Sequence, residues 1–107
     1  MNLEEMKKLI SDAYYEFMQK RHNIHRMYAE EHNPVKLGDT ICDSGTTMKV
    51  NEMKLSHYND FPEMTYKGVE LRKDGKPKKK QEGYTIFQSC IKSINGNPYE
   101  FENPCRP

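Results

Sequence analysis

The sequence predicts an α+β domain: one long N-terminal helix followed by a small antiparallel β-module. Three observations predict it. Apolar residues recur at alternating steps of three and four from Leu3 to Met27, the spacing of a helix that buries one face. After Pro34 the pattern changes to short apolar runs separated by Gly, Asn and Asp clusters, which mark strands and tight turns. A length of 107 residues with 35% hydrophobic content suits one core rather than two. The organisation expected is a single domain, with 1–33 as helix, 34–102 as β-module and 103–107 as a frayed tail.

The helical stripe is Leu3, Met6, Ile10, Ala13, Phe17, Ile24 and Met27, interrupted only by Lys20 and broadened by Tyr14, Met18 and Tyr28. Asn2 is placed to cap the first turn by accepting from the N–H of Glu5, and Glu4 and Glu5 suit the positive end of the helix dipole. Asn33 followed by Pro34 ends the helix, because Asn tolerates a left-handed conformation and Pro cannot continue. Arg21-His22-Asn23 is the stretch where a break is expected. Unbroken, the helix is roughly 45 Å long, whereas strands of five to seven residues span about 25 Å. The helix therefore overhangs, breaks or packs on another chain. One reading makes Ile10, Phe17 and Ile24 the centre of a dimer seam. The plainer alternative lays the same face on the open face of the chain's own sheet.

In the second part, Leu37 to Ile41 leads into a strand and Asp43 to Thr46 is a turn. Met48 and Val50 alternate with polar neighbours, and Met53 and Leu55 resume one position out of phase, as across a β-bulge. Tyr58 to Pro62 is loop. Tyr66, Val69 and Leu71 form the next strand, with a slip at Gly68. Asp74-Gly75 reads as a type I′ hairpin turn, Tyr84 to Phe87 as a strand, and Asn95-Gly96 lies in a second hairpin turn. Pro98 to Phe101 is a last, edge strand, since Pro98 has no N–H to donate.

About five short strands with bulges and tight turns suggest a small meander or barrel. The run Leu37-Gly38-Asp39-Thr40-Ile41 opening a strand, the bent second strand, the Asp74-Gly75 hairpin and the short Ser89–Ile91 turn before a final strand resemble an SH3-like small barrel. The run from Tyr66 to Gly75 is also similar to small proteins of gut bacteria and their mobile elements. The resemblance covers residues 35–102 and implies an SH3-like, five-stranded antiparallel barrel or strongly bent sheet. SH3-like barrels bind peptides or nucleic acid through their loops and faces, so it implies that class of role, with no residue-level assignment.

Composition narrows the function classes. A net charge of +1 provides no global field toward nucleic acid or membrane. No apolar run approaches the ~20 residues of a bilayer span. The charged N-terminus lacks the apolar segment of a signal peptide, and three widely spaced cysteines, Cys42, Cys90 and Cys105, do not form a secreted disulfide framework. A cytoplasmic chain with reduced thiols is the expectation. The spacing of Cys42, Cys90, His22, His25, His32 and His57 matches no zinc signature. No base can be placed beside Cys90, which reads as a buried structural thiol. No cofactor and no enzymatic activity are expected.

Two contact surfaces remain besides the helix. Arg72, Lys73, Lys76, Lys78, Lys79 and Lys80 cluster around one hairpin and suit phosphate contacts, with Tyr66 and Tyr84 on flanking strands for stacking. The plainer alternative is a solubilised hairpin guarding a sheet edge. Tyr58, Phe61, Pro62 and Tyr99, with Phe101, suit a groove for an extended or proline-rich peptide. Their alternative is closure of the core. The function these readings favour is a non-enzymatic binding or adaptor module that engages a protein partner and pairs with a second copy. Nucleic-acid binding through the 72–80 hairpin is the alternative.

Overall fold

The computed structural model describes residues 1–56 and 61–101. Helix α1 spans Leu3–Glu31 without interruption, so Arg21-His22-Asn23 is helical rather than a break. Asn2 caps it as expected, its side chain accepting from the Glu5 N–H at 2.8 Å. The exit is built differently from expectation. Asn33 does not take a positive φ. Its side-chain oxygen instead accepts from the Val35 N–H at 3.1 Å and from the Tyr66 hydroxyl at 2.6 Å. This local turn past Pro34 stops the helix, and the Tyr66 bond fastens the stop to the sheet.

Among the described residues the β-module holds six strands: β1 Thr40–Cys42, β2 Thr47–Leu55, β3 Met64–Leu71, β4 Ile86–Phe87, β5 Ser93–Ile94 and β6 Asn97–Pro98. They form one antiparallel sheet in the order β4-β3-β2-β1-β5-β6. The order has two ends, β4 and β6, and they do not pair. The sheet is open, and the SH3-like barrel expected for 35–102 is not formed. Closure needs edge strands long enough to meet, and β4 and β6 are two residues each.

The long β2–β3 pair sets the register of the sheet. Val50 pairs with Gly68 and Glu52 with Lys67, leaving Asn51 as the extra residue of a bulge. That bulge restores Met53 and Leu55 to the face already occupied by Met48 and Val50, as the phase slip predicts. Gly68 is not a second slip. It lies opposite the bulge, and a Cβ there would overlap the Lys49 carbonyl oxygen. The core face of β3 is consequently Met64, Tyr66, Gly68 and Glu70, while Val69 and Leu71 lie on the other face, half-buried.

The Asn95-Gly96 turn has positive φ at both residues, 51° and 82°, which joins β5 to β6 as a two-residue hairpin. Asp74-Gly75 differs from expectation. Only Gly75 has positive φ, and the Gly75 N–H donates to the Arg72 carbonyl while the Arg72 N–H donates to Lys76. This is the three-residue hairpin loop with glycine in the bulge position.

The core is small: Ala29, Val35, Ile41, Met48, Val50, Met64, Tyr66, Ile86 and Ile91. Helix α1 contributes Ala29 alone as a fully buried residue. Most of the helix projects past the sheet, and the molecule measures 68 × 35 × 19 Å.

Replacing Gly68 with Ala is expected to lower stability by ~1–3 kcal/mol, because the close neighbour is backbone that cannot step aside. The measurement is the urea midpoint at unchanged slope. Gly45→Ala, at a glycine with open space and no positive φ, should leave the midpoint level or slightly raised.

Candidate functional site

Three groups of residues were singled out as surfaces, and the fold treats each differently. The helical seam stays open. Leu3, Ile10, Phe17, Ile24 and Met27 are 55–64% exposed, and ten of the thirteen exposed large apolar side chains among the described residues lie on α1. Among the described residues, the burial of α1 is concentrated in its last turns, at His25, Tyr28 and Ala29, with Tyr28 stacked on His32 and edge-on to Phe61. The alternative in which the seam lies on the chain's own sheet is therefore not what the fold does. Leu9 and Tyr14 flank the seam and are equally exposed, at 54% and 66%.

The basic residues are held in a loop that folds back onto β3. Arg72 pairs with Asp74 at 3.1 Å. Beyond the turn, Pro77 bridges to Leu71 and the Lys78 N–H donates to the Glu70 carbonyl. The side chain of Gln81 then behaves as a strand residue would. Its oxygen accepts from the Glu70 N–H at 2.7 Å, and its nitrogen donates to the Glu70 and Lys78 carbonyls at 3.1 and 2.8 Å. The Glu70 carboxylate, fully buried, accepts from the N–H groups of Glu82 and Gly83 on one oxygen. Its other oxygen has no partner. The loop thus covers the end of β3 that β4 is too short to reach, which is edge protection in the physical sense. Arg72, Lys73, Lys76, Lys79 and Lys80 remain exposed on its outside, and Lys78 is half-buried.

The aromatic group closes the core from below. Phe61 meets Tyr28 and Phe101 edge-to-face at 5.6 and 5.9 Å, Pro62 is half-buried beside it, and Tyr99 packs on the core cluster. Tyr58 and His57 lie outside the described residues, as does Cys105.

Sequence reasoning did not find two polar residues that assemble this end of the molecule. Gln88 is buried and spans three elements. Its oxygen accepts from the Met64 N–H at 3.2 Å, and its nitrogen donates to the His32 carbonyl and the Tyr99 hydroxyl at 3.1 and 3.0 Å. Glu63, also buried, accepts from the Ser89 N–H and hydroxyl at 3.1 and 2.8 Å. The 3-10 turn Gln88–Cys90 directs Gln88 and Ile91 inward, so Cys90 faces solvent and is not the buried thiol expected. Tyr66, whose hydroxyl serves Asn33, is pushed above its ordinary ionisation range, chiefly by burial and secondarily by Tyr99 and Glu63. It is a donor at any ordinary pH. Among the described residues no three His, Cys, Asp or Glu side chains gather as metal ligands, and no helix is long and apolar enough to cross a membrane.

Comparison of the chain with protein-family models, with curated proteins and with solved structures returns no match.

Two measurements follow from these contacts. Gln81→Ala removes three hydrogen bonds and should open the 77–83 loop. Limited trypsin digestion should then cut after Lys78, Lys79 or Lys80 faster than in the parent protein. Asp39 is held below its ordinary value of 3.8, first by the Lys36 N–H and then by the Asn95 side chain. A depressed folded-state value means that its contribution is present above pH 3.8 and is lost as pH falls through the lower folded value. Asp39→Asn should flatten the acid limb of the stability profile below pH 3.8, read by thermal melts across a pH series.

Proposed function

We propose that this chain is a non-enzymatic binding module whose contact surface is the outward seam of α1, and that it works as a pair of copies joined there. One observation carries this reading: an apolar seam running the length of a 29-residue helix that its own sheet leaves uncovered. Contiguous exposed apolar area of this kind marks interaction sites in soluble proteins. Isolated helices are marginal in water, and packing of an apolar face supplies most helical stability in proteins. Among the described residues, the large apolar side chains between Leu3 and Ile24 stay exposed.

Peptide recognition by the aromatic group is less well supported, because Phe61, Tyr99 and Phe101 are engaged with one another, with Tyr28 and with the core. Nucleic-acid binding by the 72–80 loop rests on the exposure of its cations. Against it stand the Arg72–Asp74 pair, the use of the loop as an edge cover, and a net charge of +1.

Light scattering after size exclusion, across a concentration series, tests the proposal. The expected mass is twice 12.7 kDa at high concentration, falling toward one copy on dilution. Phe17→Asp should give one copy throughout, with the thermal transition of the β-module retained. A wild-type chain that stays single at every concentration would remove the reading.

A further inference from the structure

We infer that two copies pair their α1 helices antiparallel, with Leu3 of one opposite Met27 of the other. This rests on the reading that α1 is a self-association surface and adds its geometry.

A large apolar side chain offers on the order of 100 Å² for burial. The six large seam residues with Leu9 and Tyr14 therefore reach ~800 Å² per partner, the size of a specific interface. A bilayer surface is the other taker of amphipathic helices. It wants a cationic polar face, and α1 carries five Lys and Arg against six Asp and Glu.

The orientation follows from the layers. In the antiparallel register Ala13 lies opposite Phe17, Ile10 opposite Lys20, Met6 opposite Ile24 and Leu3 opposite Met27. Every small residue faces a large one, and the two Lys20 side chains lie about 15 Å apart along the seam. The overlap stops at Met27, which is still exposed, next to Tyr28 and Ala29, which are half-buried and buried. A parallel in-register pair stacks Ala13 on Ala13, which leaves a void beside Phe17 on Phe17. It also sets Lys20 against Lys20 within the apolar seam, where unpaired charge is strongly disfavoured.

The rim charges favour the opposite arrangement. Antiparallel pairing brings Lys7 near Arg21 and Glu16 near Glu16, whereas parallel pairing sets Glu16 beside Arg21. Exposed pairs of this kind contribute little compared with a core layer, so the layers decide. The two β-modules then sit at opposite ends of roughly 35 Å of paired helix, related by a two-fold axis across its middle.

Disulfide trapping tests the orientation. In a background of Cys42→Ser, Cys90→Ser and Cys105→Ser, separately tagged Met6→Cys and Ile24→Cys chains are mixed in a glutathione redox buffer. The expected product is the mixed 6–24 disulfide, with little 6–6 or 24–24 product. Dominant 6–6 and 24–24 products would overturn the antiparallel geometry while leaving self-association intact. A dimer by light scattering that traps none of the three would overturn the seam as the interface. A chain that light scattering finds single would overturn the underlying reading as well. Both substitutions are at exposed positions, and circular dichroism of each chain confirms that the helix is retained.

Discussion

The junction at which α1 meets the sheet organises the rest of the molecule. Asn33 and Gln88 are its two carboxamides. Asn33 satisfies the Val35 N–H and the Tyr66 hydroxyl. Gln88 satisfies Met64, His32 and Tyr99. Between them they tie the C-cap carbonyl of His32, the start of β3 and the chain after β6 into one polar frame around Tyr66, which is itself fully buried. Buried polar groups are costly unless paired, so the frame holds the end of the helix against the sheet. Among the described residues the helix is buried only near its C-terminal end, and its apolar seam before His25 stays exposed.

That constraint explains why so small a core suffices. Nine buried apolar residues among those described hold an open six-stranded sheet, and the sheet edges are managed by other means. β4 and β6 are two residues long, and the upper end of β3 is covered by its own loop. The Gln81 side chain occupies hydrogen-bonding positions that a longer β4 would have filled, and the buried Glu70 carboxylate anchors the turn at Glu82 and Gly83. The lysine-rich stretch is thereby a strap on a sheet edge with its cations turned outward. Its composition suggests a ligand, whereas its backbone is engaged in protecting β3.

Much of the fold is legible in the residues. The three-four spacing on α1, the Asn2 cap, the phase slip between Val50 and Met53, the Asn95-Gly96 turn and the edge position of Pro98 all follow from local rules whose causes lie within a few residues. Less legible were the features fixed by partners far along the chain. Glu70 is buried between half-buried Val69 and Leu71 because Gly68 must meet the bulge on β2, and that is a property of two strands at once. Cys90 is exposed because the 3-10 turn spends its inward positions on Gln88 and Ile91. The aromatic residues near Phe61 carry no sign in sequence of whether they line a groove or stack on Tyr28.

The sequence by itself determined the α+β class, the amphipathic helix with its N-terminal cap, and the positions of the tight turns, since these depend on side-chain period and backbone preference over short spans. Only the tertiary structure decided that the sheet stays open, that the lysine loop lies along β3, and that the seam of α1 faces solvent rather than the sheet. Those outcomes depend on which long-range polar contacts can be satisfied together. Here the Asn33, Tyr66 and Gln88 contacts hold the end of the helix at the sheet, and the seam before it stays exposed.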